Sequence, residues 1–151
     1  MKHLILTALL LTSSSWAQTF TDLQGKPLTF DPASPQQPSV LIFWASWCGY
    51  CMKEIPHLKA LQSEYPALRW LGVNVNKEPA DGLLTEQQRQ LTWPSITDPE
   101  LQLADKFGIR ATPGLIVLDA NGQRLYSGRR SDDAFRAALA RAAQSASPAQ
   151  P

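Results

Sequence analysis

Cys48 and Cys51, separated only by Gly49 and Tyr50, are the two cysteines of this 151-residue chain. A pair at that spacing suits a reversible disulfide, half of a metal site, or haem attachment. Zinc takes four ligands, and beyond residue 17 only His57 could join the two thiols, so no metal is expected. Haem attachment needs histidine directly after the second cysteine, where Met52 stands. As a structural staple so short a loop would contribute only ~2 kcal/mol by loop entropy, against nearly 5 for a long one. Redox chemistry is the remaining reading, with no bound cofactor.

The elements around the pair sharpen it. Residues 40–44, Val-Leu-Ile-Phe-Trp, form an apolar run fit for a buried strand and too short for a helix, and the residues from Met52 onward favour helix. The cysteines therefore fall where a strand turns into a helix. The unpartnered N–H groups of a first helical turn, and the positive end of its dipole, favour a thiolate on Cys48, which makes it the nucleophile. Cys51, one turn on, can reach back to a mixed disulfide on Cys48 and resolve it.

Residues 19–23 and 26–30 flank Gln24-Gly25 and predict an N-terminal β-hairpin. A loop with Pro32, Pro35 and Pro38 follows, then the strand, the cysteines and a helix to about Tyr65 that contains Pro56, where a kink is expected. Residues 69–75 predict a strand parallel to the first, and 81–91 a polar surface helix. Asp98, Pro99 and Gly108 mark the N-cap, first position and stop of a short helix. Residues 115–118 and 123–127 flank the turn Asp119-Ala120-Asn121-Gly122 as an antiparallel hairpin. Ser131 is placed to cap a last helix whose apolar positions are Phe135, Leu139 and Ala142.

FWASWCGYC, continued by Glu54 and Pro56 into a WCxxCxxExP pattern, resembles the thioredoxin superfamily and within it the exported TlpA, ResA and CcmG branch of thiol-disulfide oxidoreductases. LGVNVNKEP from Leu71 and FGIRATPGLIVLDANG from Phe107 extend the resemblance over residues 20–125. It implies one α/β thioredoxin-like domain, a central mixed sheet flanked by helices, and a cis-proline, Pro113, opposite the cysteines. Thioredoxin keeps a buried acid where this chain has Ile42, so the resemblance assigns the Cys51 proton to Glu54. It also implies substrate contacts at Trp47, Gly49, Tyr50, Thr112 and Pro113, with the Thr112 backbone free to pair with an extended chain. Trp47 reads equally as rim packing, and Tyr50 either modulates the thiolate or faces solvent.

The implied activity is reduction of protein disulfides, in cytochrome c maturation or upkeep of extracytoplasmic thiols, with electrons from a membrane donor. CGYC and Thr112 also resemble the isomerase DsbC, so an isomerase or oxidase is the alternative, although a single domain leaves no room for a separate dimerisation domain and a monomer is expected. A thioredoxin-like copper-binding module is the reading from another class, and it would want a histidine beyond His57, where the chain has none.

Lys2, an apolar run over residues 4–11 and small Ser15 and Ala17 before Gln18 form a secretory signal pattern. The expected division is a signal peptide at 1–17, the domain at 18–144 and a disordered tail at 145–151, in an exported protein, periplasmic in a Gram-negative source. The 14 basic and 13 acidic residues leave a formal charge of +1, and Lys2 belongs to the signal segment. So balanced a chain has no charge footprint for nucleic acid.

Overall fold

The apolar run that precedes the cysteines is the middle of the molecule. The computed structural model describes residues 18–146; the expected signal segment and residues 147–151 lie outside the described residues. Strand β3 (Ser39–Trp44) is buried at all six positions. It pairs in parallel with β4 (Arg69–Asn74) through helix α1 (Gly49–Glu64), and antiparallel with β6 (Gly114–Leu118). Beyond them lie β5 (Ser95–Thr97), parallel to β4, and β7 (Arg124–Gly128), antiparallel to β6, giving the mixed order β5-β4-β3-β6-β7. The expected N-terminal hairpin is present as β1 (Gln18–Thr21) and β2 (Pro27–Phe30).

Strand alternation divides the core into two layers. Val40, Ile42 and Trp44 face Ile55, Leu58 and Leu61 of α1 together with Phe135, Leu139 and Ala142 of helix α4 (Asp133–Ser145). Leu41 and Phe43 face the other way, against Leu103 and Phe107 of helix α3 (Gln102–Phe107) and Phe30 of the hairpin. The hairpin is tied to the β5 edge by Leu23 N–H to the Ser95 carbonyl at 3.0 Å and Thr97 Oγ1 to the Thr21 carbonyl at 2.9 Å. Helix α2 (Pro79–Arg89) starts on proline and lays Gly82 against the side chain of Asn74.

Local differences from the expectations have physical causes. Strand β5, which no apolar run announces, is held by pairing with Gly72, Val73 and Asn74. Asp98 does satisfy the start of α3, accepting from Leu103 N–H at 3.2 Å and Ala104 N–H at 2.9 Å, but the helix begins only at Gln102, after Leu101 in the left-handed region at φ 58°. Gly108 ends it at φ 70°, as expected. The last helix is capped by Asp132, whose carboxylate accepts Phe135 N–H at 2.9 Å, and not by Ser131. That helix also includes Ser145, which was expected to open the tail. Helix α1 runs on through Pro56 to Glu64.

Candidate active site

The strand-to-helix junction places the cysteines as the sequence pattern suggested. Cys48 occupies the N-cap of α1 at φ −88° and ψ 97°, and its Sγ accepts Cys51 N–H at 3.1 Å. Sulfur thus stands where an N-cap oxygen commonly satisfies a free donor of the first turn. Cys48 and Cys51 are joined as a disulfide with Cα atoms 5.2 Å apart. Cys48 keeps 6% exposure and Cys51 2%, so what reaches the pair from solvent reaches Cys48.

The loop before the pair is held by Asn76, just beyond the end of β4. Asn76 Oδ1 accepts Ser46 N–H at 2.8 Å, and its Nδ2 donates to Ser46 Oγ at 2.6 Å. Asn74 Nδ2 donates to the same Asn76 Oδ1 at 2.9 Å, so two buried amides fix the residue that leads into Trp47 and Cys48. A β-carbon on Gly82 would collide with the Asn74 side chain, and its absence lets that amide sit between strand and helix.

The Thr112-Pro113 bond is cis. The loop it shapes borders two hollows beside the motif. One, of about 220 Å³, includes Trp47, Val75, Leu101, Ile109 and Thr112. The other, of about 280 Å³, is lined by Tyr50, Glu54, Pro113, Arg129 and Arg130. Trp47 and Tyr50 are each 70% exposed, so both aromatic rings are displayed to solvent rather than packed. Lys53 Nζ lies 5.4 Å from the centre of the Tyr50 ring, a cation–π contact. At Gly49 a β-carbon would meet nothing within 4 Å.

The segment after β7 contributes residues that the sequence did not assign to the site. Ser131 donates to Glu54 Oε2 from both its hydroxyl, at 2.7 Å, and its backbone N–H, at 3.2 Å. Arg129 Nη2 donates to the Thr112 carbonyl at 3.0 Å, so that carbonyl is already engaged and offers a substrate only its second lone pair. Tyr126 donates to the Arg130 carbonyl at 2.9 Å. Burial, and then the nearby Asp132 charge, push the Tyr126 hydroxyl above its ordinary pKa, so it remains a donor across the physiological range. A sequence signal for Ser131 existed, but it read as a helix cap.

The thiol-disulfide oxidoreductase ResA of Halalkalibacterium halodurans is 29% identical over 85 residues, 55% of this chain and 48% of that protein. The soluble secreted antigen MPT53 of Mycobacterium tuberculosis is 28% identical over 109 residues, 72% of this chain and 62% of its own. The chain thus spans between 48% and 62% of the length of these relatives. The crystal structure of a secreted Mycobacterium tuberculosis disulfide oxidoreductase homologous to Escherichia coli DsbE superposes with a TM-score of 0.72 at 20% identity, covering 83% of this chain and 96% of that one, which shows the shared fold. The AhpC/TSA family model matches residues 15–124, well over half of the sequence, and the chain belongs to that thioredoxin-like family.

Proposed function

We propose that the chain is an exported thiol-disulfide oxidoreductase that reduces disulfides of partner proteins through Cys48 and Cys51. The observation that carries this reading is the Cys48–Cys51 disulfide at the N-terminus of α1, with Cys48 the more exposed residue of the two, in a fold whose cis-proline loop borders the same site. In the reduced state the Cys48 thiolate attacks one sulfur of the partner's disulfide. The partner's S–S bond breaks, a Cys48–partner disulfide forms, and the released sulfur takes a proton. Cys51 then attacks Cys48 Sγ after losing its proton to Glu54, and the second partner thiol leaves. Two electrons have passed to the partner, and the protein is left as the disulfide.

Glu54 suits the proton role because Ser131 fixes it through Oε2 alone, and Oε1 accepts no hydrogen bond among the described residues. Trp47, Tyr50, Thr112 and Pro113 line the hollows where an extended partner would lie, and exposed Gly49 sits between Cys48 and Tyr50. Export is supported by the signal pattern at 1–17 and by the secreted relative MPT53. No helix among the described residues is long and apolar enough to cross a membrane. A membrane donor restores the dithiol, the domain acts as a monomer, and its targets include apocytochromes or other extracytoplasmic thiols.

Trapping with Cys51→Ala in the native compartment tests the reading. Mixed disulfides should accumulate on Cys48, and acid-quench alkylation should find the wild-type pair mostly reduced. A pair found fully oxidised, with substrate thiols unchanged after deletion, points to an oxidase or isomerase and ends the reductase reading.

A further inference from the structure

The hollow beside Pro113 has a charge character that the exchange chemistry does not require. We propose that Arg129 and Arg130 bind a carboxylate side chain of the partner protein close to the cysteine that Cys48 attacks, so that acidic surroundings mark the preferred disulfides; this rests on the oxidoreductase reading of the site. Pocket and motif are continuous, since Tyr50 and Glu54 from α1 and Pro113 from the facing loop share its lining with the two arginines. A partner chain that presents sulfur to Cys48 therefore lays neighbouring residues over them.

Arg129 is held in place by its bond to the Thr112 carbonyl, and a guanidinium has five N–H donors, so the contact orients the fork without exhausting it. Arg130 is exposed and makes no ion pair among the described residues, where the ion pairs are Arg110 with Asp105 and Arg136 with Glu64. Its backbone is tied down by Tyr126, which fixes where the side chain starts. Lys53, stacked on Tyr50, adds a third cation on the α1 side.

The acids nearby hold structural donors through one oxygen each: Glu54 takes both Ser131 donors on Oε2 and leaves Oε1 open, and Asp132 takes Phe135 N–H at the head of α4. Among the described residues Glu54 is the one carboxylate in the lining of the hollow, where Arg129 and Arg130 outnumber it. With a formal charge of only +1, the chain as a whole exerts little steering, so any charge preference must come from this local group. Arginine binds carboxylate as a planar fork, which gives geometry as well as attraction.

The test uses the reduced protein and disulfide-linked peptides that are identical except for Glu, Gln or Lys within two residues of the attacked cysteine. The order of kcat/KM should be Glu, Gln, Lys, with about a tenfold span from first to last, as one charge-assisted contact supports. The span should shrink at 1 M salt, where screening reaches ~3 Å. Arg130→Glu should invert the order, and because the comparison is between peptides on one protein, a general loss of activity does not mimic it. Equal rates for the three peptides, or an order that Arg130→Glu leaves unchanged, overturns the proposal while the exchange activity stands. Failure of the Gln peptide to react at all sinks the oxidoreductase reading, and this one with it.

Discussion

Replacing Asn76 with alanine should loosen the cysteine loop from beneath. The Asn76 side chain is 3% exposed and makes three contacts: it accepts from Ser46 N–H at 2.8 Å and Asn74 Nδ2 at 2.9 Å, and donates to Ser46 Oγ at 2.6 Å. Truncation leaves the Ser46 amide and the Asn74 amide without an acceptor. Asn74 cannot turn away, because its side chain is wedged against Gly82. A buried donor left unpaired costs about 1–3 kcal/mol. Ser46 is only half-buried and water can reach it, so its share falls at the low end; Asn74, 1% exposed, takes the larger one. The sum is about 3 kcal/mol.

Urea unfolding of the oxidised protein reads this directly. With a slope of about 1.5–2 kcal/mol per molar, the midpoint should fall by nearly 2 M. Amide hydrogen exchange supplies the local readout: Ser46 N–H, which now donates to Asn76 Oδ1, should lose protection, while the β3 amides should keep theirs up to the reduced global limit. A midpoint shift below about 0.5 M together with an unchanged Ser46 amide would mean that the two asparagines merely fill space and that the end of β4 does not hold the motif.

Two further perturbations probe the other side of the site. Glu54→Gln keeps an oxygen for the Ser131 donors and should fold normally, yet slow resolution by about a hundredfold near neutral pH; single-turnover exchange with an unaltered rate and pH profile would reduce Glu54 to a structural anchor. Tyr126→Phe should cost about 1 kcal/mol below pH 10 by removing the donor to Arg130. Because the folded-state pKa of Tyr126 is raised, its contribution is complete below the unfolded value of about 10 and is lost as pH rises through the folded value, so wild type and variant should converge in stability there.

What the sequence disclosed and what it concealed divide along a physical line. Strand β3, the first turn of α1, β4 and the β6–β7 hairpin are each announced by a contiguous apolar run or by turn residues. Strand β5 is three residues, Ser-Ile-Thr, behind Pro94, and only its neighbour β4 makes it a strand. Asp98 was legible as a capping group but not in register, since its carboxylate reaches the helix across the intervening turn at Leu101. Ser131 had the right residue type for a cap and the wrong employment: its hydroxyl goes to Glu54, which is 77 positions away, and Asp132 does the capping. Local chemistry can say that a serine seeks a partner, while only the folded chain decides which one it finds.

The consequence for the site is that its two halves are joined through a third element. Helix α1 carries the cysteines and Glu54, and the loop before β6 carries Thr112 and Pro113. Among the described residues no side-chain hydrogen bond runs directly from one to the other. Instead Ser131 reaches Glu54 and Arg129 reaches Thr112, two residues apart on the segment between β7 and α4. Displacing that segment would therefore move the proposed proton acceptor and the proposed partner-binding loop at the same time. Since Arg129 and Arg130 also line the hollow, a partner that binds there pulls on the same segment. Binding and proton transfer are then expected to be coupled, and the Glu54→Gln defect should depend on whether the peptide carries Glu or Lys beside its cysteine. Independent, multiplicative effects of the two changes would show that the segment is a passive strut.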